Sequence, residues 1–216
     1  MSTTRFASVV LDVDSTLSGV EGIDWLAGLR GDELAARVAG LTDRAMRAEI
    51  ALDAVYGERL ELVRPTASEV EALGARYIAT VAPGAPDVIA TLLTRCRRVV
   101  VVSGGIREAI LPLAAYLGIP DRDVHAVSVQ FTSDGQYAGF DSASPLTTAD
   151  GKRSVVEALD LPRPVLAVGD GATDLAVRPA VDSFAAFIGF VRRPTICIGA
   201  DLVLESFEQL AETVLE

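Results

Sequence analysis

The chain has 216 residues, half of them hydrophobic and 23% charged, which suits one folded domain, or one with an insert, around a sizeable core and excludes a disordered chain. Thirty acids against nineteen bases leave a net charge of −11, the wrong sign for neutralising nucleic-acid phosphates or an anionic membrane; a small anionic substrate stays open, because a local Lys or Mg2+ reverses the field inside one pocket. The longest stretch without Asp, Glu, Lys or Arg is the twelve residues 109–120, short of the roughly 20 that a spanning helix needs, and with no export signal visible the chain reads as cytosolic.

Residues 6–13 (FASVVLDV) form a β-branched apolar run ending in acids, the profile of a buried parallel strand. From 17 to 79 no strand pattern follows. Helical periodicity takes over, as in Leu34, Val38, Leu41 and Leu52, Val55, Tyr56, punctuated by Gly22, Gly28, Gly31, Gly40 and Pro65. A crossover seldom needs so many residues. We therefore predict a small helical cap over 17–79, inserted after the first strand of a catalytic core made of 1–16 and 80–216; two ordinary crossover helices are the plainer alternative.

Beyond the insert the spacing predicts a helix over 85–95, a strand over 98–103 (RVVVVS), a helix over 106–117 and a strand over 124–129 (VHAVSV). Ser133, Asp134 and Gly135 separate two short apolar runs, 129–131 and 137–140, as in a hairpin. A helix over 152–159, a strand over 165–170 (VLAVGD), a short strand over 185–188 and a last helix over 205–215 complete the pattern. Strands alternating with helices read as βαβ units in an α/β fold with a doubly wound parallel sheet. Such sheets bind ligands beyond the carboxyl ends of their strands, which directs attention to Asp12, Asp14, Ser103 and Asp170. Cys96 and Cys197 stand far apart with no CxxC or Cys/His cluster, so they read as buried thiols rather than a bridge or zinc site. His125, the single histidine, alternates with valines as a core or edge residue, and no GxSxG elbow accompanies it.

Asp12-Val13-Asp14 at a strand end can turn both carboxylates toward one site, since residues i and i+2 of a strand share a face. Two acids there can bind Mg2+ and divide nucleophilic and acid/base work; taken alone, the pattern also fits a helix N-cap with a solvated neighbour. The Gly169-Asp170-Gly171-Ala172-Thr173-Asp174 stretch adds hard oxygen ligands and backbone that a ligand can approach closely, or, alone, an Asp-Gly turn. Ser103-Gly104-Gly105 offers a hydroxyl and N–H groups where a helix starts, a phosphate seat or an N-cap. Lys152 stands near a helix start, where a cation opposes the macrodipole unless an anion lies close.

In that order, DVDST, SGG, GK and GDGATD resemble the haloacid dehalogenase superfamily of phosphotransferases. The segments DVDSTLSGVEGIDWLA, TDRAM, ERLELVRP, VVSGGIRE, YAGFD and GDGATD extend the likeness to its phosphoserine phosphatases over nearly the whole chain. The resemblance implies a Rossmann-like core with a small helical cap and a Mg2+-dependent phosphomonoesterase that works through an aspartyl phosphate. It implies Asp12 as nucleophile and Asp14 as acid and then base. Mg2+ would be held by Asp12, the backbone carbonyl of Asp14 and Asp170, with Asp174 supporting the site. Ser103, Gly104 and Lys152 would bind the phosphoryl oxygens, Glu21 the substrate ammonium and Arg59 its carboxylate, with Met46 and Thr173 at further pocket positions. The implied substrate is L-phosphoserine, on the way to serine, and the implied partner a small phosphorylated metabolite rather than nucleic acid or membrane; a homodimer stays open.

The chain departs from the family after TDRAM. Arg47 and Ala48 stand where the family has a glycine pair, and Leu52 where it has phenylalanine. Arg47 either points to solvent from a cap helix or reaches the pocket and favours a more anionic ester. The alternatives are therefore a phosphatase or phosphotransferase of the same chemistry acting on another small phosphomonoester and, in a different class, a phospho-accepting signalling receiver or a binding module.

Overall fold

The structure is a computed structural model that describes residues 4–47, 49–50 and 52–215, without the side chains of Met46 and of residues 52–54. Strand β1 (Ser8–Leu11) is buried at every residue, as its apolar run requires when both sheet faces are covered. On one side it pairs in parallel with β2 (Arg98–Ile106), on the other with β6 (Val165–Gly169). With β3 (Val124–Val127), β7 (Ser183–Phe187) and β8 (Leu202–Leu204) the sheet runs β3-β2-β1-β6-β7-β8, and all its pairings are parallel. The chain winds outward from β1 in one direction and then returns to its other side. That reversal opens a crevice at the carboxyl ends of β1 and β6.

Ten helices cover the described chain. Helix α5 (Ala85–Arg95) has the predicted bounds, and α6 (Arg107–Tyr116), α7 (Gly151–Ala158) and α10 (Phe207–Leu215) fall within two residues of theirs. The run 124–129 is divided between β3 and β4 (Val129–Phe131), because Val129 pairs antiparallel with Phe140 of β5 (Tyr137–Phe140) in a separate two-stranded sheet. The turn of that hairpin includes Gly135 at φ +80°, a left-handed conformation that glycine adopts without strain. Strand β8 was not foreseen; its pattern is too short to read. Two short helices, α8 (Ala172–Leu175) and α9 (Pro194–Gly199), flank the late strands. Cys96 and Cys197 are free but only half-buried, so the expectation of buried thiols is corrected: Cys96 caps the end of the helix over 85–95 and Cys197 lies in the short helix over 194–199, and both pack against the core from its edge. His125 lies on β3, an edge strand.

Residues 17–79 carry helices α1 (Gly22–Gly28), α2 (Asp32–Met46), α3 (Leu52–Val63) and α4 (Ala67–Ala79). Helix α4 starts with a complete capping box between Thr66 and Glu69, which satisfies two end N–H groups at once. The same Glu69 takes two hydrogen bonds from Arg30, at 2.6 and 2.7 Å, tying the segment after α1 to the start of α4. Helix α4 lies against α6 so closely that a methyl at Gly74 would stand 3.1 Å from the Ala109 carbonyl oxygen. Helix α3 rests on the hairpin, with Tyr56 and Phe140 ring centroids 5.6 Å apart. Among the described residues no helix is long and apolar enough to cross a membrane.

Candidate active site

The acids arrive first. Asp12 follows β1 and Asp170 follows β6, neighbouring strands, so sheet pairing alone brings the two residues together. Asp174, in the first turn of α8, curls back: its Oδ2 accepts a 2.9 Å hydrogen bond from the Gly171 N–H. Gly169 has to be glycine for this, since a methyl there would lie 2.2 Å from the Asp174 carboxyl carbon. The carboxylates of Asp12, Asp170 and Asp174 each place an oxygen within 4.8 Å of the others, and all three residues are buried. Hard oxygens at that spacing suit Mg2+.

Lys152 sits in the first turn of α7, and the anions that its position called for are present. Its Nζ is 2.7 Å from Asp12 Oδ1 and 2.6 Å from Asp174 Oδ1. Burial alone would lower its pKa, but Asp12 and Asp174 override burial and hold it above the ordinary lysine value, so the ammonium stays charged. Removing one partner of such a buried pair typically costs about 3–5 kcal/mol. Desolvation and then Asp12 push Asp174 up to about 7, against the pull of Lys152. Gly151 admits α7 to this position: a methyl there would meet the Pro145 carbonyl oxygen at 1.7 Å.

Asp14 opens onto the same cavity as Asp12. Burial first, and then Glu21, raise its carboxyl well above the ordinary value, opposed by a hydrogen bond from Tyr77. Its neighbour Ser15 adopts φ +52°, a left-handed conformation uncommon for a residue other than glycine, and donates a 2.8 Å hydrogen bond to Glu21 Oε1. Burial also raises Glu21, with that hydrogen bond opposing it. Ser103, Gly104, Lys152, Asp170, Thr173, Glu21 and Arg59 complete the predicted set along the cavity wall. Arg59 is 6% exposed, and its Nε has no hydrogen-bond partner among the described residues. The Met46 side chain, Ala48 and the Leu52 side chain lie outside the described residues. Arg47 does not enter the cavity; its side chain is 56% exposed and pairs with Asp43 at 2.8 Å.

Sequence reasoning missed several residues of the site, among them Tyr56, Tyr77 and Arg193. Tyr56, which reads as an apolar position of a helix stripe, lines the cavity and donates a 2.7 Å hydrogen bond to the Gly104 carbonyl oxygen. Tyr77 reaches Asp14 from α4. Arg193, in the loop before α9, touches the Asp170 carboxylate and lies 3.7 Å from Glu21. The Val-Arg-Arg-Pro spelling around Arg193 carries no signal of this, since arginine is mostly exposed and the neighbouring Arg192 is.

Residues 9–177 match the profile of the haloacid dehalogenase-like hydrolases. Phosphoserine phosphatase of Homo sapiens is 35% identical over 206 residues, 94% of this chain and 91% of the human protein. The chloroplastic phosphoserine phosphatase of Arabidopsis thaliana is 33% identical over 212 residues, 96% of this chain and 71% of that protein. A solved structure of phosphoserine phosphatase, described as a phospho-aspartyl intermediate analogue, superposes with a TM-score of 0.80 at 24% identity, covering 98% of this chain and 99% of that one. It shares the fold.

Proposed function

From a chain that belongs to the haloacid dehalogenase-like hydrolase family, we infer a Mg2+-dependent phosphatase that hydrolyses L-phosphoserine to L-serine and phosphate through an aspartyl phosphate on Asp12. The observation that carries this reading is the shared cavity: Asp12, paired with Lys152, and Asp14, with its raised pKa, face the same space as Arg59 and Glu21.

In the first step a carboxylate oxygen of Asp12 bonds to phosphorus as the P–O bond to serine breaks. The electron pair leaves on the serine oxygen, which takes the proton of Asp14. In the second step water attacks phosphorus, its proton passes to the Asp14 carboxylate, and the P–O bond to Asp12 breaks with its electron pair returning to the Asp12 carboxylate. A bound Mg2+, held by Asp12, the Asp14 carbonyl and Asp170 with Asp174 behind them, would supply charge that offsets the repulsion between carboxylate and phosphate. Lys152, Ser103 and the Gly104 N–H would hold the phosphoryl oxygens. The planar fork of Arg59 suits the substrate carboxylate, and its unpartnered Nε supports that role. Glu21 would take the ammonium, and Thr173, with Met46, would line the pocket.

The insert 17–79 acts in this reading as a cap over the core, and the enzyme as a cytosolic one serving small phosphorylated metabolites. The exposure of Arg47 favours phosphoserine over a more anionic ester. The test is phosphate release from L-phosphoserine with Mg2+. Asp12→Asn should abolish it, because an amide is a very poor nucleophile toward phosphorus; retention of most of the wild-type rate would end the aspartyl-phosphate reading.

A further inference from the structure

Of the polar contacts of the site that the mechanism leaves unused, one is made to the acid Asp14 itself. Tyr77 is fully buried on α4, and its Oη donates a 2.5 Å hydrogen bond to Asp14 Oδ1. A phenol carries its proton near neutral pH, so the hydroxyl serves as donor to the carboxylate. Space around it is made by glycine: a methyl on Gly22 would lie 2.1 Å from Oη, while one on Gly105 would come to an ordinary 3.5 Å. A phenylalanine would fill the same volume against α6 without needing a bond to an acid. The hydroxyl instead meets the carboxyl that handles the proton, not a backbone carbonyl.

We propose that Tyr77 is a positioning residue for phosphoryl transfer, holding Asp14 through Oδ1 so that Oδ2 carries the proton given to the leaving group. The inference rests on the acid/base assignment of Asp14 above. In the step it serves, the Asp12–phosphorus bond forms, the bond from phosphorus to the serine oxygen breaks, and that oxygen takes the Oδ2 proton. The Tyr77 proton stays on the phenol throughout. A proton donor held out of line loses much of its advantage, because proton transfer in the transition state depends on geometry.

Tyr77→Phe tests this with two substrates. The leaving group of L-phosphoserine is an alkoxide that needs the proton; that of p-nitrophenyl phosphate is a stable phenolate that does not. The parameter to read is kcat/KM, which reports events up to the first irreversible step. It should fall about 10-fold or more for phosphoserine and much less for the aryl ester. Equal losses on both substrates would mean that Tyr77 only packs α4, and no loss on either would also overturn the proposal. Circular dichroism and the thermal midpoint check that the variant is folded.

Asp14→Asn separates the two levels of inference. It should show the same bias toward the aryl ester, and adding Tyr77→Phe to it should cost little more on phosphoserine, since both act through one carboxyl. If Asp14→Asn lacks the bias, the acid assignment falls and Tyr77 with it. If Asp14→Asn shows the bias and Tyr77→Phe does not, the positioning role alone falls. Should Tyr77→Phe fail to fold, Gly22→Ala, whose methyl would press on Oη, gives the second reading: a bias against phosphoserine supports the proposal, and an even loss on both esters overturns it.

Discussion

The cavity has two walls built in different ways. The sheet wall comes from strand ends: Asp12 and Asp170 follow neighbouring strands, and Asp174 and Lys152 lock behind them at 2.6 Å. The helical wall is assembled by packing: Glu21 stands just before α1, Tyr56 and Arg59 lie one turn apart on α3, and Tyr77 reaches Asp14 from α4. A strand end fixes a side chain by backbone pairing, while a helix fixes it only as well as its packing. Substitutions on the sheet wall should therefore strike chemistry with every substrate, and those on the helical wall should sort substrates.

The sharpest way to break that contrast is Arg59→Ala. It should raise KM for phosphoserine by about 10-fold to 100-fold, the range of a lost charge-assisted carboxylate contact, while p-nitrophenyl phosphate, which has no carboxylate, shifts far less. Steady-state kinetics on the two esters decides it. A parallel rise for both would place Arg59 with the phosphoryl group and erase the distinction between the walls.

A smaller effect probes how the helical wall is held. Glu69 is drawn down to about 2 from 4.5, chiefly by its hydrogen bond from Arg30. A depressed carboxyl contributes its full stability above about 4.5 and loses it as the pH falls through about 2. Glu69→Gln should therefore lower stability by roughly 1 kcal/mol or less at pH 7, as expected for a partly exposed pair. Urea unfolding of the two proteins at pH 7 and pH 2 should show that gap narrowing in acid; a gap independent of pH would show that the charge of the carboxylate does not carry the effect.

The smallest change is expected from Arg47→Gly. Because Arg47 is exposed and paired with Asp43, phosphoserine kinetics should stay within about twofold, in line with most surface substitutions. A large gain in phosphoserine turnover would show that the arginine reaches the substrate.

These walls also differ in how far the sequence revealed them. The strands announced themselves as β-branched runs ending in polar residues, and the spacing of Asp12 and Asp14 carried geometric meaning without any tertiary knowledge. Lys152 was legible as a cation in an unfavourable place. The insert showed its helices but not their contacts. Tyr56 matched an apolar stripe, and a tyrosine there looks the same whether its hydroxyl meets solvent or the Gly104 carbonyl. Tyr77 becomes visible only when Gly22, 55 positions earlier, is seen to make room for it. Strand β8 has three residues, below the length at which alternation can be told from chance.

The central place of β1 has a consequence for how the molecule is made. Ser8 pairs with Arg98 on one side and with Val165 on the other, so β1 leaves the ribosome ahead of partners that lie about 90 and 157 positions later. Long-range pairings of this kind close slowly and leave apolar strands uncovered in the meantime. The nascent chain carries Asp12 long before Asp170, which joins it only when β6 docks. Docking of β6 on β1 and the meeting of Asp12 with Asp170 are thus one event, and a half-synthesised chain holds Asp12 without the Lys152 ammonium that pairs with it in the fold.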